Sequence, residues 1–595
     1  MRRSRKVSAV AMALGTALVL GACGGNGEGG DGASGDVKDM AVGKGQQGEN
    51  YSLPANIPET EEVTVSTDNP FTAYNNSTAD ANNAYNSAAL VTTLASAYTL
   101  NGNNEVLLNK DVMESVELTN EDPMEVTWKI KDGVKWSDGE AWDCDDFYLT
   151  YLAQNGKAKK GNGGTYFLAA ATNGYEQVKE FTCEDDLTGK ATFDTPYVDY
   201  KAMFGVSMDV LPAHILEKNT NVDDITKVDE NSSADVLTKV SDFWNKEWNG
   251  FDKEKMPGSG PYMIESWQQN QSVTMVRNPE WVGNTPGPKK ITLRSIPNAT
   301  AQAQALENRE LDVVSSTQPD ADAAQRLQGL EAQGMTYGSK PSLGYEHLDL
   351  NYANPIFQDD AVRQAFFECV DRDEIVEKLI KPVDEEAEPL NSIVFYPSED
   401  GFKDNYSDKS MGDAQKATKT LQDAGWKKGG DGVFAKDGEK LEFRISHTDI
   451  PRRKQTVELI MNQCKDAGMK ITDDQDPNFL DTRVSEGDYD VALFGWVQEP
   501  FKASQKSIYE TGGGQNWSEF SDKKVDEAFQ KAVTQTDPAD ATPFYQQADK
   551  ALAENYYTLP LFQSPDMWAF QGIDRVFYQS YYGSLWNVGE WEKTE

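Results

Sequence analysis

This chain of 595 residues is short of positive charge, histidine and cysteine, and each shortage removes a class of function. Lysine and arginine total 56 against 97 acidic residues, a formal net charge of −41. So acidic a protein repels nucleic acid and other polyanions, which excludes them as partners. It also excludes adhesion to anionic lipid by charge. His214, His347 and His447 are the only histidines, and they are scattered. The five cysteines contain no C-x-x-C, so structural zinc is not expected. Neither G-x-S-x-G nor H-E-x-x-H occurs, and the S-x-x-K at Ser521 and Lys524 lacks its S-D-N and K-T-G companions. Asp474, Asp476 and Asn478 open like a calcium loop, but Phe479 stands where that loop needs Gly and Ser485 where it needs Glu. No enzyme, cofactor or metal is expected. No internal repeat is evident, and no stretch reaches the roughly 20 apolar residues of a membrane span.

What is present begins at Cys23. Arg2, Arg3, Arg5 and Lys6 precede an apolar run over 7–19 and a small-residue site, the pattern of a secretory signal over 1–22. Leu20, Gly21, Ala22 and Cys23 resemble the bacterial lipobox, in which the thiol is acylated and the mature chain begins at that Cys. Lipidation of Cys23 places the protein on the extracellular face of the cytoplasmic membrane, anchored by lipid. Residues 24–50 hold ten glycines and almost no large apolar side chain, so 23–50 reads as a flexible tether. Loss of the four basic residues of the signal takes the net charge from −41 to −45.

An exported chain sits where disulfides persist. With Cys23 lipidated, four cysteines allow three pairings. The expected one joins Cys144 to Cys183 and Cys369 to Cys464. The first closes a loop of about 40 residues, worth about 3–4 kcal/mol by chain entropy. The second would staple two helices, because Cys369 shares a helical face with Val362 and Phe366, and Cys464 with Val457 and Ile460. The alternative is that Cys369 and Cys464 are small buried hydrophobes.

Residues 125–130 and 134–136 read as strands around a Lys131–Asp132–Gly133 turn, with a helix over 143–152. Strands follow at 262–266 and 272–277. From about 344 the pattern becomes α/β: strand 346–351, helix 359–370, a second helix capped by Asp371, strand 441–446, helix 453–467, strand 469–472 and strand 489–496. A strand, a crossover helix and a strand predict parallel pairing. Residues 525–533 and 544–554 read as helices.

The stretch WKIKDGVKWSDG at 128–139 resembles the signature of solute-binding proteins of peptide-type ABC importers, the oligopeptide- and dipeptide-binding group. LPAH at 211–214, GSGPY at 258–262, RNP at 277–279, ELDV at 310–313, VRQA at 362–365 with VDR at 370–372, DAGW at 423–426 and GDYD at 487–490 follow in family order. The resemblance implies an α/β, bilobed periplasmic-binding-protein-like fold of type II, cluster C, with mixed sheets and a hinge. Lobe I would be 51–343 with 561–595, including an extra subdomain, and lobe II 344–560. It implies a monomer that hands an oligopeptide to ABC permease subunits. The same scaffold could take a non-peptide solute such as an oligosaccharide, or serve a surface enzyme or adhesin.

The motifs themselves are mostly turns and packing positions, so ligand contacts are expected elsewhere. Relatives read G-W-x-x-D after a buried strand, and that carboxylate pairs with the peptide ammonium. Here the stretch is Gly495, Trp496, Val497, Gln498, Glu499, which makes Glu499 the ammonium partner and Trp496 a flat cleft wall. Asn516 and Trp517 match the family's N-(W/Y) after a Gly-rich loop. Tyr74, Asn75 and Asn76 lie in a first loop where relatives touch ligand.

Overall fold

The computed structural model describes residues 43–594 except Asn173, Gln318, Asn478 and Glu499. The signal sequence and Cys23 therefore lie outside the described residues, as does Glu499. Its centre is one mixed sheet of ten strands: β1 Thr60–Thr67, β2 Tyr262–Gln268, β3 Ser272–Arg277, β4 Pro288–Ser295, β5 Val313–Thr317, β6 Met335–Leu350, β7 Glu442–His447, β8 Lys470–Gln475, β9 Val491–Val497 and β10 Thr558–Gln571. The helices used below are α1 Ala84–Thr93, α2 Cys144–Gln154, α3 Asp360–Cys369, α4 Pro451–Lys465, α5 Lys523–Val533 and α6 Pro538–Glu554.

The spatial order is β2-β3-β4-β1-β5-β10-β6-β9-β7-β8. The two long strands β6 and β10 pair antiparallel at the middle and belong to both halves. The end of β10 pairs with β5, through Val313 to Phe570 and Val314 to Ala569. The second part of β6 pairs with β9, from Gly344 with Val497 to Leu350 with Val491. Between these parts the β6–β10 register breaks, from Pro341 opposite Pro565 to Tyr345 opposite Gln563. A prolyl nitrogen donates nothing to a ladder, so a break beside Pro341 is physically reasonable.

The β7–α4–β8 unit is parallel, with Glu442 opposite Lys470 and His447 opposite Gln475, as the strand–helix–strand pattern predicts. Gly468 takes φ +77°, the left-handed turn that stops the chain after α4. Asp371 accepts the Glu374 N–H at 2.9 Å and caps the helix that follows α3.

Residues 113–193 add a separate four-stranded antiparallel sheet. The expected strand at 134–136 is not one; its residues make a single bridge, Lys135 to Ala141. The reason is Trp136, whose indole is buried and donates to Asp146 at 2.9 Å. That bond pulls the segment onto α2. The GSGPY loop docks on the same segment, with the Ser137 N–H donating to the Gly258 carbonyl at 2.7 Å. A Cβ on Gly260 would lie 2.4 Å from the Thr92 carbonyl, so only glycine fits there.

Both disulfides join elements distant in sequence. Cys144–Cys183 ties the start of α2 to the strand Val178–Asp185, and Cys369–Cys464 ties the end of α3 to α4. The folded chain begins earlier than Tyr51. Gln46–Gln47 pairs with Asn50–Tyr51, and the Lys44 N–H donates to buried Glu590 at 2.6 Å. The Glu590 contact comes from the far end of the chain, so composition could not reveal it.

Candidate functional site

A cavity of about 190 Å³ lies where the register of β6 and β10 breaks. Ser342, Gly344 and Tyr345 of β6 and Ser564 of β10 floor it. One wall comes from Asp68, α1 and the C-terminal segment, through Tyr85, Tyr581 and Tyr582. The other comes from the end of β9 and the start of α4, through Trp496, Val497 and Arg453. Both halves of the sheet therefore contribute, and the break runs beneath.

Tyr345 and Trp496 are direct cross-strand neighbours. The Trp496 ring sits 5.1 Å from that of Trp517 and 5.3 Å from that of Phe494, forming an aromatic cluster. The Trp496 indole N–H is buried and has no hydrogen-bond partner among the described residues. Trp517 stands behind Trp496 rather than on the cavity surface.

Glu346 is the most constrained charge of the site. It accepts from Arg452 at 3.0 Å and from Arg453 at 2.8 Å (Nη2) and 3.0 Å (Nε). Burial alone would raise its pKa, but Arg453 and Arg452 overcome this and hold it down at about 2. A Cβ on Gly495 would lie 3.3 Å from the Glu346 carboxylate, so glycine leaves this ion pair uncrowded. On the opposite wall, Gln302 donates to Asp68 at 2.7 Å and the Tyr578 hydroxyl donates to Asp566. The cavity lining carries three acidic residues, Asp68, Glu346 and Asp566, and one basic residue, Arg453, with Glu346 compensated by Arg452 and Arg453.

The other expected contacts lie off this surface. Tyr74 is buried and donates to the Pro257 carbonyl at 2.5 Å. Asn76 is buried and accepts from Asn83 and Asn86 at 3.0 Å each, holding the first loop against α1. Asn75 donates to the Trp244 carbonyl at 2.9 Å. Asn516 donates to the carbonyls of Glu510 and Phe520 at 2.9 and 2.8 Å and accepts the Phe520 N–H, closing its own loop. Their polar atoms build the scaffold around the cavity.

Sequence reasoning missed Asp68, Tyr85, Glu346, Arg453, Asp566 and the tyrosines at 581–582. Two signals were readable: Arg452–Arg453 beside a strand end in a base-poor chain, and Glu346 inside an apolar strand. The false calcium loop has a physical explanation. Arg483 donates to Asp474 at 2.7 Å and Asp476 at 3.1 Å of that stretch, and to Asp488 just beyond it at 2.9 Å. A guanidinium does there what a cation would otherwise do.

With this geometry established, residues 108–519 match the family model described as bacterial extracellular solute-binding proteins, family 5 Middle. The chain belongs to this family. It is accordingly an extracytoplasmic solute-binding protein and not an enzyme. The chain is similar to the oligopeptide-binding protein OppA of Mycobacterium tuberculosis (strain H37Rv), 27% identical over 493 residues, covering 82% of this chain and 77% of that one. It is also similar to a lipoprotein of Mycobacterium leprae (strain TN), 26% identical over 498 residues, covering 79% and 82%. Among solved structures, the periplasmic EDTA-binding protein EppA superposes with a TM-score of 0.82 at 25% identity, covering 93% of this chain and 99% of that one. The oligopeptide-binding protein AppA of Bacillus subtilis, in complex with a nonapeptide, superposes with a TM-score of 0.71 at 20% identity, covering 91% and 100%. The fold is thus the α/β, two-lobed type II binding-protein fold.

Proposed function

We propose that this protein is the lipid-anchored receptor of an ABC importer, and that it captures oligopeptides in the cavity between its lobes. The observation that carries this reading is a cavity walled by both halves of the sheet directly over the break in β6 and β10. Ligand pockets favour such interfaces, and hinge closure around ligand gives a permease two states to distinguish. The lobes divide near that break, as 51–343 with 561–595 and 344–560, and residues 43–50 join the first lobe. Trp496, backed by Trp517, forms a flat wall with a free indole donor, and Glu499 just beyond the end of β9 takes the peptide ammonium. Tyr74, Asn76 and Asn516 support the cavity without touching ligand. An acidic lining suits a ligand end that carries positive charge and disfavours a polyanionic chelate. Acylated Cys23 keeps the monomer on the outer face of the membrane, where permease subunits take its cargo.

The test is a thermal-shift screen with defined peptides, oligosaccharides and metal–EDTA. A ligand at about 100 times its Kd adds about 2.7 kcal/mol of stability. Peptides should raise Tm and the other two should not; a shift by sugar or chelate alone overturns the peptide reading.

A further inference from the structure

Two hydrogen bonds to backbone groups join the lobes away from the cavity. Asp199 is buried and accepts the Ala503 N–H at 2.9 Å. The neighbouring Val198 N–H donates to the carbonyl of Val533, the last residue of α5, at 3.2 Å. Ala503 lies in the short helix Lys502–Gln505, whose N-cap residue Phe501 makes no side-chain cap bond. One lobe thus supplies partners for backbone groups that the other leaves open at two helix ends. Tyr197, Val198, Ala503, Val533 and Tyr545 are buried in the same core around these bonds. A cavity of about 370 Å³ separates the lobes beside them, between Glu176 and Asp194 on one side and Lys506 and Gln530 on the other.

The seam is connected to the ligand cavity. Val497 lines that cavity, and the next residue, Gln498, is buried and accepts from Lys502 Nζ at 3.2 Å. Lys502 also pairs with Glu399 at 2.8 Å and lies over the rings of Phe395 and Tyr396. It immediately precedes Ala503.

We propose that this seam is a closing latch, in which Asp199 holds the lobes shut through the Ala503 amide and so tunes the affinity of the cleft. The link to affinity rests on the cleft being the ligand site; the latch itself does not. Ligand binds the closed state, so its apparent affinity scales with the closed fraction.

The carboxyl adds a pH dependence. Burial raises Asp199, against the lowering by the Ala503 N–H and Lys502, and pushes it up to about 6. Lys502 and its partner Glu399 face it from one side, and the Tyr545 hydroxyl of α6 from another. Asp549 acts on Lys502, and Asp537 acts on the adjacent Tyr200. In an open seam the carboxyl meets water and returns to about 3.9. The closed state therefore binds the proton more tightly. Its advantage is complete below about 4 and is lost as pH rises through about 6, by about 100-fold in the closed-to-open ratio.

The decisive experiment is small-angle scattering of the mature chain without ligand, at pH 5 and pH 8. Wild type should expand at pH 8. Asp199→Ala should be expanded at both and should bind tetra-alanine about tenfold more weakly, the scale of a lost cap. Asp199→Asn keeps an acceptor but cannot titrate, so it should stay compact at both. A wild type of constant size, a compact Asp199→Ala, or an Asp199→Asn that responds like wild type overturns the latch. If Asp199→Ala does not fold, the Asp199→Asn profile decides. If tetra-alanine does not bind wild type, the peptide reading suffers and the scattering series still judges the latch.

Discussion

At the scale of single residues, Glu346 carries the largest stake. Two buried guanidinium groups share its carboxylate, and removing it leaves both without a counter-charge. Breaking a buried ion pair from one side costs about 3–5 kcal/mol. Glu346→Gln should therefore lower the urea-unfolding free energy by about 3 kcal/mol at pH 7. The folded carboxyl titrates near 2, below its ordinary 4.5. Its contribution is present above about 4.5 and is lost as pH falls toward 2. Wild type should thus lose stability over that range and the variant should show less of that loss. Glu499 is the second test at this scale. Glu499→Gln should weaken peptides with a free amino terminus by about tenfold or more, on the scale of a charge-assisted bond, and spare N-acetylated ones. Calorimetry showing equal loss for both would remove it as the ammonium partner. Trp496 was singled out in the sequence by its resemblance to the family's Gly–Trp pair; it stands near the end of β9 and lines the cavity. Asp68 and Asp566 were not legible, because they stand 498 positions apart and meet only through the sheet order.

At the scale of elements, the two disulfides hold helices against neighbours that the chain reaches late. Their separations of 39 and 95 residues correspond to about 4 and about 4.7 kcal/mol of chain entropy. Replacing Cys369 and Cys464 together by serine should lower Tm more than replacing Cys144 and Cys183. Calorimetry under non-reducing conditions reads both. Helical and strand periods were readable here: α3, α4, β7 and β8 fall within a few residues of their expected places. The segment 134–136 misled because alternating apolar residues look alike in a strand and in a turn pinned by Trp136. Expected helix-face sharing placed Cys369 and Cys464 on inner faces, but contact between those faces depends on how α3 and α4 pack.

At the scale of the molecule, the ten-stranded sheet makes the two lobes parts of one hydrogen-bonded body, joined by β6 and β10. A body hinged on two strands can close on a solute without losing its own core. Its attachment to the membrane is a separate matter, which the proposed function assigns to Cys23. Cys23→Ala should move the protein from the membrane fraction to the medium while leaving its melting curve and ligand-induced shift unchanged. Retention on the membrane would refute acylation as the anchor.

The sequence by itself pointed to action outside the cytoplasm, to the binding-protein family and to the repeating patterns its elements follow. Those properties rest on short windows: family motifs, turn residues and the spacing of apolar side chains. Only the tertiary structure decided which side chains meet over the break in β6 and β10, and that Asp199 reaches Ala503. Such meetings depend on strand order and register, where contact energies between residues hundreds of positions apart settle the outcome, and no short window of sequence contains them.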